Sequence, residues 1–186
     1  MVVEQTENKN PPKAMVDELI KLYQEGSLSE VSTKVKKLID NFGNSFVLYN
    51  LMGAVSLSSG KFAKAEIEFK KAIELKSDDP NASNNLGIAL QQLGKIDEAI
   101  HSFETALNIN SQYPEALNNL GFALMQKGNI PDAAEKLVMA INLKPDYTQP
   151  LIHLSSIIPF LTIRDGNPGL EAIMVTLLEK KFVDRP

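Results

Sequence analysis

The stretch PNASNNLGIALQQLGKIDEAI at residues 80–100 is followed 34 residues later by PEALNNLGFALMQKGNIPDAA. A repeat of that length constrains the fold more than any local propensity, because each copy must be one supersecondary unit that packs on the next. Three copies keep register through five columns. These are Gly53, Gly87 and Gly121; Gly60, Gly94 and Gly128; Ala65, Ala99 and Ala133; Ala72, Ala106 and Ala140; and Phe69, Phe103 and Leu137.

Within a copy the apolar residues recur at helical spacing. Leu86, Ala89, Leu90 and Leu93 make one core-facing stripe, and Ile96, Ala99, Ile100, Phe103, Ala106 and Leu107 make another. Two helices per copy follow. Gly94 lies between them, where a residue at positive φ ends a helix and lets its last carbonyls find donors. Pro80 and Pro114 open their copies at a position where a helix loses nothing by lacking an N–H. A single hairpin cannot bury its own stripes, so copies must stack. Gly87 and Ala99 at the crossing of the two helices, and Ala106 at the junction with the next copy, let the backbones approach.

The predicted fold is all-α: a right-handed superhelix (α-solenoid) of stacked antiparallel helix pairs with a C-terminal capping helix. Its expected boundaries are a disordered tail at 1–11, a repeat array at 12–160, and a loop with a capping helix at 161–186. The array divides into a degenerate copy at 12–45, clear copies at 46–79, 80–113 and 114–147, and a last half-copy at 148–160. In the degenerate copy Gly26 takes the turn position, and Val35 and Leu38 take the second-helix columns. Near the C-terminus Asn167 is placed to cap a helix that begins with Pro168, and Leu170, Ile173, Met174, Leu177 and Leu178 share one face. That face serves either as a lid on the stack or as a dimer contact.

The repeated residues resemble the tetratricopeptide repeat. The resemblance is carried by Leu86-Gly87, Ala99 and Phe103, by Leu120-Gly121 and Ala133, and by Met52-Gly53, Ala65 and Phe69. There are departures. The usual Trp column holds Tyr49, Ser83 and Leu117, the Tyr column holds Ser56, Leu90 and Leu124, and only Pro145 keeps the closing Pro.

The resemblance implies that the first helix of each pair lines a concave groove. In one copy the side opposite the core stripe carries Asn81, Asn84, Asn85, Ile88, Gln91 and Gln92. In the next it carries Glu115, Asn118, Asn119, Phe122, Met125 and Gln126, with Asn50 and His153 flanking. The candidate binding residues are therefore Asn50, Asn81, Asn84, Asn85, Ile88, Gln92, Asn118, Asn119, Phe122, Gln126 and His153. Asn is a poor helix former, costing about 0.6 kcal/mol relative to Ala, so its double use in each copy calls for a reason. A carboxamide both donates and accepts, and can hold the backbone of an extended peptide without selecting its side chains. The repeats of the O-GlcNAc transferases are similar in placing Asn along this surface. Alternatively, the amides cap, bridge neighbouring helices or face water. Family members that grip the acidic C-terminus of heat-shock chaperones need cationic side chains at the groove. The corresponding places here carry Asn50, Ala54, Glu115 and Asn119, and only Asn85 fits that clamp.

Lys and Arg number 19 against 23 Asp and Glu, giving a net charge of −4 and a pI near 5.3. That balance argues against nucleic-acid and anionic-membrane partners, both of which need clustered basic residues. With no cysteine, disulfides, thiolate metal sites and a Cys nucleophile are excluded. The N-terminal MVVEQTENKNPP lacks the features of a secretory signal, and the apolar run 151–163 is too short and too interrupted to span a bilayer, so a soluble, cytoplasmic protein is expected.

Neither His101 nor His153 sits in a metal-ligand pattern, and Ser155 and Ser156 next to His153 do not make a triad. No enzyme activity, cofactor or metal is expected. Two functions fit: a scaffold binding a protein or peptide in its groove, as a monomer or as a dimer through the C-terminal helix; or the helper domain of a larger enzyme. The second rests on residues 153–186, which resemble the segment joining tetratricopeptide repeats to a sulfotransferase or glycosyltransferase domain in some bacterial proteins.

Overall fold

A computed structural model describes residues 10–43 and 45–157. They contain nine α-helices and no strand: α1 (Lys13–Gln24), α2 (Leu28–Phe42), α3 (Phe46–Ser58), α4 (Phe62–Leu75), α5 (Pro80–Gln92), α6 (Ile96–Ile109), α7 (Pro114–Lys127), α8 (Ile130–Leu143) and α9 (Gln149–Ile157). The fold is all-α, as the 34-residue period requires. The expected capping helix and most of the expected N-terminal tail lie outside the described residues.

Glycine sets the turn inside each pair. Gly26, Gly60, Gly94 and Gly128, each 34 residues from the next, have φ of 79°, 70°, 75° and 85°. In every case the following N–H reaches back five residues: Ser27 to the Leu22 carbonyl, Lys61 to Ser56, Lys95 to Leu90 and Asn129 to Leu124, at 2.8–3.0 Å. This is a left-handed helix stop closed by a Schellman bond, and it satisfies a carbonyl that the helix end would otherwise leave open. Pro80 and Pro114 begin α5 and α7, and the Asp79 carboxylate accepts the Ala82 N–H at 3.0 Å across the start of α5.

The helices group into two compact units, divided between Lys95 and Ile96. In the first, α3 is apolar on nearly every side and is touched by α1, α2, α4 and α5, as suits a helix enclosed by its neighbours. Leu19, Val31, Val35, Leu48, Met52 and Val55 form a buried cluster there. Gly53 packs against the Phe69 ring so closely that a Cβ on it would fall 2.7 Å from two ring carbons. In the second unit α7 touches α6, α8 and α9. Gly121 repeats the arrangement, with a Cβ position 2.8 Å from Leu137 Cγ and 3.2 Å from the Ala133 carbonyl. Ala65, Ala72, Ala99, Ala106, Ala133 and Ala140 are all fully buried. The small-residue columns thus occur where backbones meet.

One residue departs from the stripe. Leu93, expected to face the core, is 36% exposed, because α5 ends at Gln92 and Leu93 is already its C-terminal cap.

Candidate peptide-binding face

Adjacent first helices touch within each unit: α1 with α3 and α3 with α5 in the first, α7 with α9 in the second. This contact divides the Asn-Asn pair. Asn84 and Asn118 are buried, at 4% and 3% exposure, whereas Asn85 and Asn119 are half-buried. Helical geometry alone puts both members on the side away from the Leu86–Leu90 stripe. The buried arc is wider than that stripe because a first helix packs on another first helix as well as on second helices of its unit, α5 on α3 and α4, and α7 on α9, α6 and α8. Of the remaining candidates, Asn50, Ile88, Phe122 and His153 are half-buried, and Asn81, Gln92 and Gln126 are exposed.

In the second unit three of these residues come together. His153 Nδ1 on α9 is 3.1 Å from Asn118 Oδ1 on α7, and the His153 ring stacks on Phe122 with centroids 4.6 Å apart and planes 11° from parallel. Asn118 Nδ2 donates to Asn119 Oδ1 at 3.4 Å, which leaves Oδ1 as the acceptor facing the imidazole. The network therefore assigns the proton of the neutral ring to Nδ1 and leaves Nε2 an acceptor. Burial disfavours the imidazolium and lowers the His153 pKa below its ordinary 6.5.

Glu115, at the start of α7, is paired with a lysine. Lys144, from the end of α8, donates to Glu115 Oε1 at 3.0 Å, and this bond raises the Lys144 pKa. The ammonium also lies 5.4 Å from the centroid of the Tyr147 ring, whose phenol is pushed up first by burial and then by the Glu115 charge.

In the first unit Asn50 Oδ1 is buried with no hydrogen-bond partner among the described residues. Between α1 and α3, Tyr23 and Ser58 share a 2.7 Å hydroxyl bond that the sequence reading missed. Tyr23–Ser58 and Asn118–His153 are each 35 residues apart, one period plus one. Polar pairs at that offset are the signal that identifies contacts between first helices. On α4, Glu66 is 9% exposed and holds Lys70 at 2.7 Å and Lys95 at 2.9 and 3.0 Å.

Ser155 and Ser156 donate to the carbonyls of Ile152 and His153 in their own helix, so neither hydroxyl is poised beside a base. His101 is exposed on α6. Among the described residues no group of three His, Cys, Asp or Glu could hold a metal ion, and no helix is long and apolar enough to cross a membrane.

The TPR-repeat family matches residues 53–94 and 90–128. No curated protein matches the chain. Among solved structures, MamA superposes with a TM-score of 0.76 at 20% identity over 93% of this chain and 94% of its own. PilF of Pseudomonas aeruginosa gives 0.74 at 17% identity, over 89% of this chain and 74% of its own. The first TPR of Spaghetti (RPAP3), solved with the HSP90 peptide SRMEEVD bound, gives 0.61 at 20% identity over 62% of this chain and 92% of its own. The family match, the glycine and alanine columns that meet in the packing, and the fold shared with these structures agree: residues 53–128 carry TPR repeats, and the chain has the fold of TPR proteins.

Proposed function

We propose that this chain is a non-catalytic scaffold that binds an extended protein or peptide segment on the inner face of its first helices. Each unit offers its own contacts: Asn85 and Ile88 on α5 in the first, and Asn119, Phe122 and His153 on α7 and α9 in the second. The observation that carries this reading is the Asn118–His153–Phe122 arrangement. A buried amide fixes an imidazole against a phenyl ring, so a half-exposed surface is held in one conformation before any partner arrives. Asn85 and Asn119, each half-buried in its own unit, supply amides that match a peptide backbone. A structural neighbour of the same fold was solved with a peptide bound, which supports this use of the architecture.

The test is to select twelve-residue peptides on the intact protein from a displayed random library and to measure affinity for Asn85→Ala and Asn119→Ala. Ile67→Ser, at a 70% exposed position on α4, is the control. Loss of about tenfold or more in affinity for the Asn variants, with the control unchanged, is the expected outcome. Lowered thermal stability with unchanged affinity would mean that the amides serve only the fold.

A further inference from the structure

The described part of the second unit, residues 96–157, holds seven carboxylates, three lysines and no arginine. All three lysines are already in ion pairs: Lys127 with Asp97 at 2.6 Å, Lys136 with Glu135 at 2.7 Å and Lys144 with Glu115 at 3.0 Å. The first-helix face of this unit carries Glu115, held by Lys144, together with amides, a phenyl ring and an imidazole. A partner carboxylate at this face would find no charge-assisted donor without drawing Lys144 away from Glu115 and stripping that carboxylate of its ammonium. A partner cation meets the opposite situation, since a unit with excess negative charge attracts it during approach.

We propose that the inner face of the second unit binds a basic, carboxylate-poor extended peptide segment, seating one large apolar side chain against the Phe122–His153 stack. This deepens the scaffold reading and rests on it. The stacked rings, 4.6 Å apart and nearly parallel, form a flat, half-exposed wall on which an apolar or aromatic side chain packs. The tautomer imposed by Asn118 leaves Nε2 of His153 as an acceptor, which suits a peptide N–H and not a carboxylate. Lysine or arginine on either side of the apolar residue then lies in the net negative field of a unit whose described residues hold seven carboxylates and three lysines. Charge complementarity selects the class of peptide, and the ring pair sets its register.

The same displayed library, selected on the intact protein at low salt, supplies the probes. The expected sequences are enriched in Lys and Arg around one large apolar residue and depleted in Asp and Glu. A synthetic copy of a selected peptide with its basic flanks changed to Glu binds about tenfold or more weakly, and the gap narrows at high salt, where screening shortens the range of the field. Changing the apolar residue to Ser, or Phe122→Ala in the protein, weakens binding about tenfold. Phe122→Leu, which keeps apolar bulk, retains most of it and controls for folding. Selection of acidic peptides, equal affinity for the Lys- and Glu-flanked forms, or a folded Phe122→Ala protein with unchanged affinity overturns the proposal. Acidic peptides whose affinity still depends on Asn119 would sink only this proposal. If no peptide is selected at all, the scaffold reading fails with it.

Discussion

Asn118 Oδ1 accepts a hydrogen bond from His153 Nδ1 at 3.1 Å, although the two residues are 35 positions apart in the chain. One period would bring position 118 to the equivalent point on the next first helix, and the extra residue brings it round to the touching side. Asn118→Ala leaves the imidazole N–H without its partner and should cost about 1–3 kcal/mol in denaturant unfolding. The same variant should release the ring from a single tautomer, visible in the His153 imidazole nitrogen shifts.

His153 also makes stability depend on pH. Its folded pKa lies below the ordinary 6.5 because burial penalises the cation, so as pH falls through 6.5 the unfolded chain takes up the proton first. Stability should be full above that pH and decline below it, and His153→Gln should flatten the dependence between pH 6.5 and the folded pKa. An imidazole titrating above 6.5 in the folded protein would contradict the burial.

The two kinds of conserved-spacing glycine should fail for different reasons. Gly53→Ala drives a methyl group into the Phe69 ring, 2.7 Å from two of its carbons, and overpacking outweighs the gain in helix propensity for a net loss of about 1–2 kcal/mol. Gly60→Ala meets no atom within 4 Å, yet it must hold φ near 70°, which costs an L-residue about 1–2 kcal/mol. Replacing Gly60 with Asn, which tolerates the left-handed region, should recover part of that loss, whereas Gly53→Asn should be worse than Gly53→Ala. Thermal melts of the four variants separate the causes.

Ser83 is 1% exposed and its hydroxyl finds no partner among the described residues. Ser83→Ala removes a desolvated polar group at almost no cost in packing and should raise stability by about 1 kcal/mol in chemical unfolding. A loss would indicate a hydrogen bond to this hydroxyl in solution.

Glu66 should govern the acid limb of the stability profile. Bonds from Lys70 and then Lys95 lower its pKa below the ordinary 4.5, so its contribution is complete above that value and disappears as pH falls through the folded pKa. Glu66→Gln should melt lower than the parent at neutral pH, and the difference should shrink on acidification below about 4.5.

How far each feature was legible in the sequence depends on the distance its cause acts over. The left-handed turn at Gly94 and the helix starts at Pro80 and Pro114 are local backbone requirements, and they stand in the structure as the residue types dictate. The crowding at Gly53 and Gly121 follows from a period that brings columns together. The division between Asn84 and Asn85 was not legible, because it depends on how much of a first helix its neighbour covers. The Glu115–Lys144 pair was not legible, since the lysine stands 29 residues away at the C-terminal cap of α8. Leu93 followed the stripe by periodicity but lies past the end of its helix.

The most direct measurement is to titrate a library-selected peptide into isotope-labelled protein and follow the backbone and side-chain amide signals. Perturbations centred on Asn85 and Ile88 of α5, or on Asn119, Phe122 and His153 of α7 and α9, abolished for the corresponding unit by Asn85→Ala or Asn119→Ala in a protein that still melts cooperatively, are the predicted result. Perturbations confined to α4, α6 or α8, or shifts that persist unchanged in both Asn variants, would contradict it.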